Sequence, residues 1–174
     1  MANGWHDGST VSCVDYLNTA LNPKLRRQTI SRTVRHLKPI IDTFDAIAVS
    51  GVSGMLIGVP VADMLDKPLI VVRKEHNTHS DCLVEGSIEG RYLIVDDLIN
   101  TGETINTIVA SIHNHHNEHA ICVGIYLWLS QYYYDHPNPN HLTHTTPCGK
   151  IIPIMANAVK RKNCNDAGEF SNWL

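Results

Sequence analysis

Short apolar runs without alternation recur along the chain, at residues 46–49, 68–72, 92–95 and 121–129. Runs of this kind are typical of strands covered on both faces, as in a parallel sheet that lies between helices. A further run at 150–155 is a candidate fifth strand. The pattern of hydrophobic positions therefore predicts a sheet whose strands are buried.

Helical spacing appears between these runs. Residues 54–65 are apolar nearly all round, which predicts a buried crossover helix, and residues 102–116 carry an apolar stripe at Ile105, Ile108, Val109 and Ile112. An amphipathic helix is predicted at 23–38, with Pro23 in its first turn. Its polar face is either solvated or a surface for an anion or a partner, and it carries Lys24, Arg26, Arg27, Arg32, Arg35 and Lys38.

The order strand, helix, strand, loop, strand, helix, strand predicts an α/β fold: an open, mainly parallel, twisted sheet of about five strands flanked by helices. Residues 73–90 are polar and lack a helical period, which predicts a long loop that acts as a mobile lid. The ends, 1–22 and 131–174, are expected to form a small cap. We therefore expect one domain over 1–174, with its core at about 40–155.

Composition excludes several classes of protein. Among 174 residues, 43% are hydrophobic and 18% are charged, as in ordinary globular domains, and the net charge of -3 predicts no nucleic-acid partner. No apolar run reaches the roughly 18 residues of a membrane helix, and residues 1–10 have neither the basic nor the apolar region of a leader. The five cysteines are scattered without a CxxC pair, which favours a reducing, cytoplasmic location.

Two adjacent acids, Asp96 and Asp97, directly follow the apolar run 92–95. Ligands of open parallel sheets bind at the carboxyl ends of strands. The segment 101–104, Thr-Gly-Glu-Thr, then leads into a helix amino terminus, where N–H groups and the helix dipole attract anions. This layout suits a sugar phosphate whose hydroxyls donate to the acids, and nearby carboxylates also stabilise an oxocarbenium-like state. The alternative is a strand end with a capping Asp and a solvated acid.

A second anion-receptive segment is predicted at 50–54, Ser-Gly-Val-Ser-Gly, as a turn ahead of a helix. Alone it is a weak signal, because tight strand-to-helix turns often have this composition. Next to the acidic loop, it predicts a substrate that carries two phosphate groups.

The segment 93–104, LIVDDLINTGET, resembles the phosphoribosyl-pyrophosphate (PRPP) signature of the type I phosphoribosyltransferases. The resemblance covers roughly residues 45–130 and includes the order of elements. SGVSGMLIG at 50–58 is similar to the pyrophosphate loop of that family, and RK at 73–74 stands where related enzymes place basic residues after the second strand.

The resemblance implies roles for these residues. Asp96 and Asp97 would hold the ribose hydroxyls and, through water, a Mg²⁺ ion, the expected cofactor. The 5'-phosphate would bind to Asn100, Thr101, Gly102, Glu103 and Thr104. Pyrophosphate would bind to Val52, Ser53 and Gly54, and Arg73 and Lys74 would neutralise its charge as it leaves. The catalytic candidates are Lys74, Arg73 and Asp97. The resemblance also implies a homodimer in which the loop that starts at Arg73 and Lys74 reaches the partner's site.

The stretch 73–81 is similar to the mobile loop of orotate phosphoribosyltransferases, Arg-Lys-x-x-Lys-x-His, but Asn77 stands at the catalytic lysine position. His76 and His79 are the remaining loop candidates. The base-binding segment of the orotate enzymes and the Lys-Leu-Pro motif of the adenine enzymes are both absent. These motifs do not specify the base, and the resemblance to the family as a whole implies an orotate-like or purine acceptor. A non-catalytic PRPP or nucleotide sensor, or a protein for another sugar phosphate, remains an alternative.

Two further segments have alternative interpretations. The histidines at 113, 115, 116 and 119 form either a metal cluster or, as we expect, a solvated surface. The tyrosines at 132–134 either stack on a base or pack beneath a loop, and Trp5 and Trp173 either line the cap or anchor the ends.

Overall fold

A computed structural model describes residues 15–74, 82–86, 90–116, 119–129 and 143–156. Four helices and seven strands lie in these ranges, together with one 3-10 helix, Lys38–Thr43. In chain order they are α1 (Asp15–Leu21), α2 (Pro23–Leu37), β1 (Ala46–Ser50), α3 (Gly51–Met64), β2 (Leu69–Val72), β3 (Val84–Glu85), β4 (Arg91–Asp96), α4 (Glu103–His116), β5 (Ile121–Leu127), β6 (Thr143–Thr145) and β7 (Ile151–Ala156).

The strands form one sheet in the order β3-β2-β1-β4-β5-β7-β6. The five inner strands are parallel, and the edge strands β3 and β6 pair antiparallel with β2 and β7. The predicted α/β class and mainly parallel sheet are confirmed. The expected number of about five strands was too low, because edge strands of two and three residues are too short to show a pattern.

The central strand β4 shows why apolar runs without alternation are buried. Tyr92 and Ile94 face the core cluster that includes the inner face of α4. Leu93 and Val95 face the opposite cluster, which contains residues of α2 and α3. Both faces of β4 are therefore covered, and its position beside β1 puts the carboxyl ends of both strands at the same edge.

Helix α3 corrects one prediction. The segment 50–54 is not a free turn ahead of the helix, because the helix begins at Gly51. Gly51 has a φ of 65°, which a glycine adopts without a steric penalty, so the chain passes from strand to helix in a single residue. Val52, Ser53 and Gly54 consequently lie in the first turn of α3.

The predicted cap and lid are only partly described. The ends contain regular structure that the sequence pattern did not indicate, namely α1 and β6, whereas the predicted strand at 150–155 corresponds to β7. Within the predicted loop 73–90, residues 84–85 form β3, and the Arg73 N–H donates to the Leu83 carbonyl at 2.8 Å. The remaining loop residues, 75–81 and 87–89, lie outside the described residues, as do Trp5, Trp173 and the tyrosines at 132–134.

Helix α4 ends at His116, and His113, His115 and His119 are exposed, in agreement with a solvated surface. Within the described ranges, no three His, Cys, Asp or Glu side chains are grouped so that they could hold a metal ion. None of the described helices combines the length and the apolar character that a membrane crossing requires.

Candidate functional site

A pocket of about 230 Å³ lies at the carboxyl edge of the sheet, beside the amino-terminal ends of α3 and α4. It is the place where the strand-end rule for parallel sheets puts a ligand. Its lining comprises Ser53, Lys74, Asp96, Asp97, Leu98, Ile99, Asn100, Thr101, Gly102, Glu103, Thr104 and Ile105. The structure thus brings together most of the residues that the sequence singled out.

The two acids are buried side by side, with 4% of Asp96 and 7% of Asp97 exposed. The Asp97 N–H donates to Asp96 Oδ1 at 2.9 Å, and the Leu98 N–H donates to Asp97 Oδ1 at 2.8 Å. The two residues that follow β5 fix the backbone of the pair, because the N–H groups of Trp128 and Leu129 donate to the carbonyls of Asp96 and Asp97. Both carboxyl groups are therefore held in place before any ligand arrives.

The surroundings of Asp96 disfavour the ionised form of its carboxyl group. Burial and, next, the charge of Asp97 raise its pKa well above the ordinary value, and Lys74 lowers it in part. A carboxylate in this environment is stabilised by a cation or by hydroxyl donors. Strongly shifted carboxyl groups in a pocket are frequent at functional sites.

The turn between β4 and α4 provides the anion-binding end of the pocket. Gly102 has a φ of 81° and leads directly into α4 at Glu103. Thr101 Oγ1 accepts the Glu103 N–H at 3.3 Å, and the Asn106 N–H donates to the Gly102 carbonyl at 2.9 Å. The first N–H groups of an α-helix have no carbonyl partner within it, so this turn presents donors and the positive end of the dipole to the pocket.

The three residues predicted to bind pyrophosphate have different positions. Ser53 lines the pocket, whereas the Val52 side chain is 64% exposed. Gly54 is buried against β4, where an added Cβ would lie 3.3 Å from the Val95 carbonyl oxygen and 3.5 Å from Asp96 Oδ1. The geometry thus gives Ser53 direct access to the pocket and gives Gly54 the role of letting α3 approach Asp96 closely.

The two basic candidates, Arg73 and Lys74, have different positions and contacts. Lys74 lines the pocket, and its Nζ would lie 3.2 Å from a Cβ placed on Gly51. Arg73 does not line the pocket, and its Nη2 forms an ion pair with Glu85 Oε1 at 3.0 Å. Lys74 therefore lies in the pocket of its own chain, which differs from the expectation that it completes the site of a partner.

Some residues of the site were not foreseen, and others fall outside the described structure. Leu98, Ile99 and Ile105 give the pocket an apolar wall, and no motif marks them beyond their place in the acidic loop. His144, on β6, contacts the turn at Gly102, but it is distant in sequence and no pattern indicated it. His76, Asn77 and His79 lie in the segment 75–81, outside the described residues.

The acids provide a suitable donor set for the expected Mg²⁺ ion. Two adjacent carboxyl groups, Asp96 and Asp97, that belong to no group of three potential metal ligands in the described ranges match an ion that keeps several waters and takes its other ligands from phosphate oxygens. The cation-favouring position of Asp96 supports this fit.

Two curated proteins are similar in sequence. One is a hypoxanthine/guanine phosphoribosyltransferase of Methanopyrus kandleri, 32% identical over 107 residues, which covers 53% of this chain and 56% of the relative. The other is an orotate phosphoribosyltransferase of Coxiella burnetii, 33% identical over 88 residues, which covers 47% of this chain and 41% of the relative. The chain thus spans about half the length of the curated relatives it matches. No family model matches the chain.

Solved structures show the same fold. An adenine phosphoribosyltransferase from Saccharomyces cerevisiae, crystallised with an imino-altritol bisphosphate and adenine, matches 65% of this chain and 72% of its own at a TM-score of 0.54 and 24% identity. An orotate phosphoribosyltransferase from Aeropyrum pernix matches 68% of this chain and 64% of its own, at a TM-score of 0.51 and 17% identity. The sequence matches confirm the resemblance to the type I phosphoribosyltransferases, and the solved structures show that the chain has the same fold.

Proposed function

We propose that the chain transfers 5-phosphoribose from PRPP to a nitrogenous base, orotate-like or purine, and releases pyrophosphate. One observation carries the proposal: a buried pair of acids, a helix amino terminus and a lysine line the same pocket. PRPP has groups of matching chemistry, namely ribose hydroxyls, a 5'-phosphate and a pyrophosphate. The curated relatives, named for hypoxanthine/guanine and orotate, support the same substrate class.

In this proposal, each part of the pocket binds a different group of PRPP. Asp96 and Asp97 accept hydrogen bonds from the ribose 2'- and 3'-hydroxyls, and the turn at 100–104 binds the 5'-phosphate. Ser53 and Lys74 bind pyrophosphate, with Gly54 keeping α3 close to Asp96. Arg73 pairs with Glu85, so we assign the direct cationic role to Lys74 rather than to Arg73.

In the reaction, the bond from the ribose C1 to the pyrophosphate oxygen breaks and a bond from C1 to a base nitrogen forms. Positive charge that develops on the ribose ring is stabilised by the Asp96 and Asp97 carboxylates, as in glycoside hydrolysis. Negative charge on the leaving pyrophosphate is stabilised by Lys74, so catalysis is chiefly electrostatic and positional. Mg²⁺, when bound, neutralises pyrophosphate charge and orients its oxygens.

A second function, that of a non-catalytic PRPP or nucleotide sensor, is favoured by Asn77 at the position of the family's catalytic lysine. The ion pair between Arg73 and Glu85 also favours it, because it directs a second cation away from the pocket. A sensor would use the same contacts for binding without the charge needed to stabilise the leaving group.

Location and assembly belong to the same proposal. The scattered cysteines favour a cytoplasmic protein, and the resemblance favours a homodimer that binds PRPP and a base and no nucleic acid. Light scattering on the purified protein tests the dimer.

The decisive experiment measures pyrophosphate release from PRPP and Mg²⁺ with a panel of single bases: orotate, uracil, adenine, hypoxanthine, guanine and xanthine. We expect release with one base, and its loss in Asp97→Asn. Asp63→Asn, an exposed acid at the end of α3, is the matched control and should leave the rate unchanged. Binding of PRPP without release for any base would establish the sensor instead. Absence of PRPP binding would rule out both functions.

A further inference from the structure

His144 is packed against the glycine of the anion-binding turn. A Cβ placed on Gly102 would lie 2.5 Å from His144 Cε1 and 3.2 Å from its Nδ1, so the imidazole occupies the space that any side chain at 102 would need. His144 comes from the edge strand β6, beyond the stretch of about 45–130 over which the sequence resembles phosphoribosyltransferases. The contact therefore joins the turn at Gly102 to an edge strand that lies outside that stretch.

The same histidine is hydrogen-bonded to the helix that the turn begins. His144 Nε2 lies 2.8 Å from Asn106 Oδ1, and because an amide oxygen only accepts, the imidazole donates through Nε2–H. The Asn106 N–H in turn donates to the Gly102 carbonyl at 2.9 Å. His144, Asn106 and Gly102 thus form a closed set of contacts around the first turn of α4.

This set of contacts has a consequence for anion binding. The direction of the N–H groups of Glu103 and Thr104 depends on the backbone angles of Gly102, which has a φ of 81°. Glycine is the residue with the widest choice of backbone angles, so a side chain that packs against Gly102 restricts the conformations open to the turn. The imidazole supplies that contact on one side, and its bond to Asn106 keeps the ring in position.

We propose that His144 is a positioning residue of the phosphate-binding turn, and that it holds Gly102 and the first turn of α4 in the conformation that binds a monophosphate. The inference rests on the proposed function, because it refines the end of the pocket assigned to the 5'-phosphate. His144 is not among the pocket-lining residues, so it acts through Gly102 and Asn106 rather than by touching substrate. The opposite end of the pocket, at Ser53 and Lys74, should be independent of it.

The test compares two ligands in the same protein by calorimetry: ribose 5-phosphate, which reports on the turn, and pyrophosphate with Mg²⁺, which reports on the Ser53 and Lys74 end. In His144→Ala we expect ribose 5-phosphate affinity to fall about fivefold to tenfold, the size expected for one ordering hydrogen bond, with pyrophosphate affinity within about twofold of the wild type. His144→Gln places an amide donor near the position of Nε2 and should restore most of the affinity. His113→Ala, an exposed histidine on the same helix, is the control.

Asn106→Ala removes the same hydrogen bond from its other partner and keeps the test valid if His144→Ala does not fold. The double variant should lose no more ribose 5-phosphate affinity than either single variant, because the two side chains act as one unit. Unchanged ribose 5-phosphate affinity in both single variants, or equal losses for both ligands, overturns the inference and leaves the proposed function standing. A wild-type protein that binds neither ligand overturns both.

Discussion

At Asp96, the negative charge that we propose for ligand binding also lowers the stability of the folded protein. The Asp96 carboxyl group is buried next to Asp97, and its pKa is raised by burial first and by the Asp97 charge second. A carboxyl with a raised folded pKa binds more protons in the native state than in the unfolded state. Stability therefore falls as pH rises from the unfolded pKa to the folded pKa, and the loss stays constant above that window.

We therefore expect Asp96→Asn to stabilise the ligand-free protein at pH 7 by on the order of 1 kcal/mol, or about 2–4 °C in the unfolding midpoint. The amide oxygen still accepts the Asp97 N–H, so only the charge is lost. PRPP affinity should fall at least about tenfold, because the variant loses a charged acceptor. Thermal unfolding and calorimetry measure the two effects. A less stable variant would show that the carboxylate is not strained.

Asp45, which directly precedes β1, has a pKa shifted in the opposite direction. The Arg91 side chain hydrogen-bonds it and, with the Arg91 N–H, lowers its pKa to about 2. Because the folded pKa is depressed, its contribution is present above the unfolded value of 3.8 and disappears as pH falls through about 2. Asp45→Asn should lower the unfolding midpoint at pH 7, and the difference from wild type should vanish near pH 2. A constant difference at all pH values would exclude a charge effect.

At the scale of elements, the close packing of α3 on β1 sets the shape of the pocket. Gly58 faces β1, and a Cβ there would overlap Val49 Cγ1. One turn earlier, Gly54 lies against β4 close to Asp96. The two glycines let the helix lie near the sheet, so that its first turn and Ser53 reach the acids.

Gly58→Ala should therefore destabilise the fold by about 1–3 kcal/mol, the usual range for an overpacked core. The double variant Gly58→Ala, Val49→Ala should recover part of the loss, because it removes the methyl groups that collide. Val59→Ala, at an exposed neighbouring position, is the control and should have little effect. Chemical denaturation measures all three, and a neutral Gly58→Ala would show that the helix can move away from β1 without cost.

Some helices and strands were predicted from the sequence, and others were missed. The strands at 46–50, 69–72 and 91–96 were predicted because burial on both faces leaves a continuous apolar run, and α4 was predicted because burial on one face leaves a helical period. The strands β3 and β6 were missed because two or three residues contain no period, and their existence depends on pairing with β2 and β7. The helix start at Gly51 was missed because Ser-Gly-Val-Ser-Gly is equally typical of a turn.

At the scale of the whole molecule, the sheet order determines which distant residues of one chain meet at the pocket. Lys74 at the end of β2 and Asp97 after β4 line one pocket, because β1 lies between these strands and all three are parallel. Within a single chain, both groups therefore line the same pocket. This arrangement predicts the behaviour of mixed inactive variants.

We expect a mixture of Lys74→Ala and Asp97→Asn to be no more active than the two variants separately, because every site in a mixed dimer keeps one lesion. Pyrophosphate release measures activity, and recovery of one variant on an affinity tag carried by the other verifies subunit exchange. If the loop instead served the partner's site, half of the dimers would regain one intact site, and activity would return to about a quarter of the wild-type value. Such a return would contradict the assignment of Lys74 to its own chain.

The sequence by itself determined the α/β class, the strand-end position of Asp96 and Asp97, and the glycine turn ahead of α4, because each depends on residues that are neighbours in the chain. Only the tertiary structure decided that Lys74 enters the pocket while Arg73 pairs with Glu85, and that His144 lies against Gly102. These outcomes depend on strand pairing and on contacts between distant segments. Periodicity and motifs carry information about local conformation and burial, but they do not specify which of two adjacent cations turns toward a ligand.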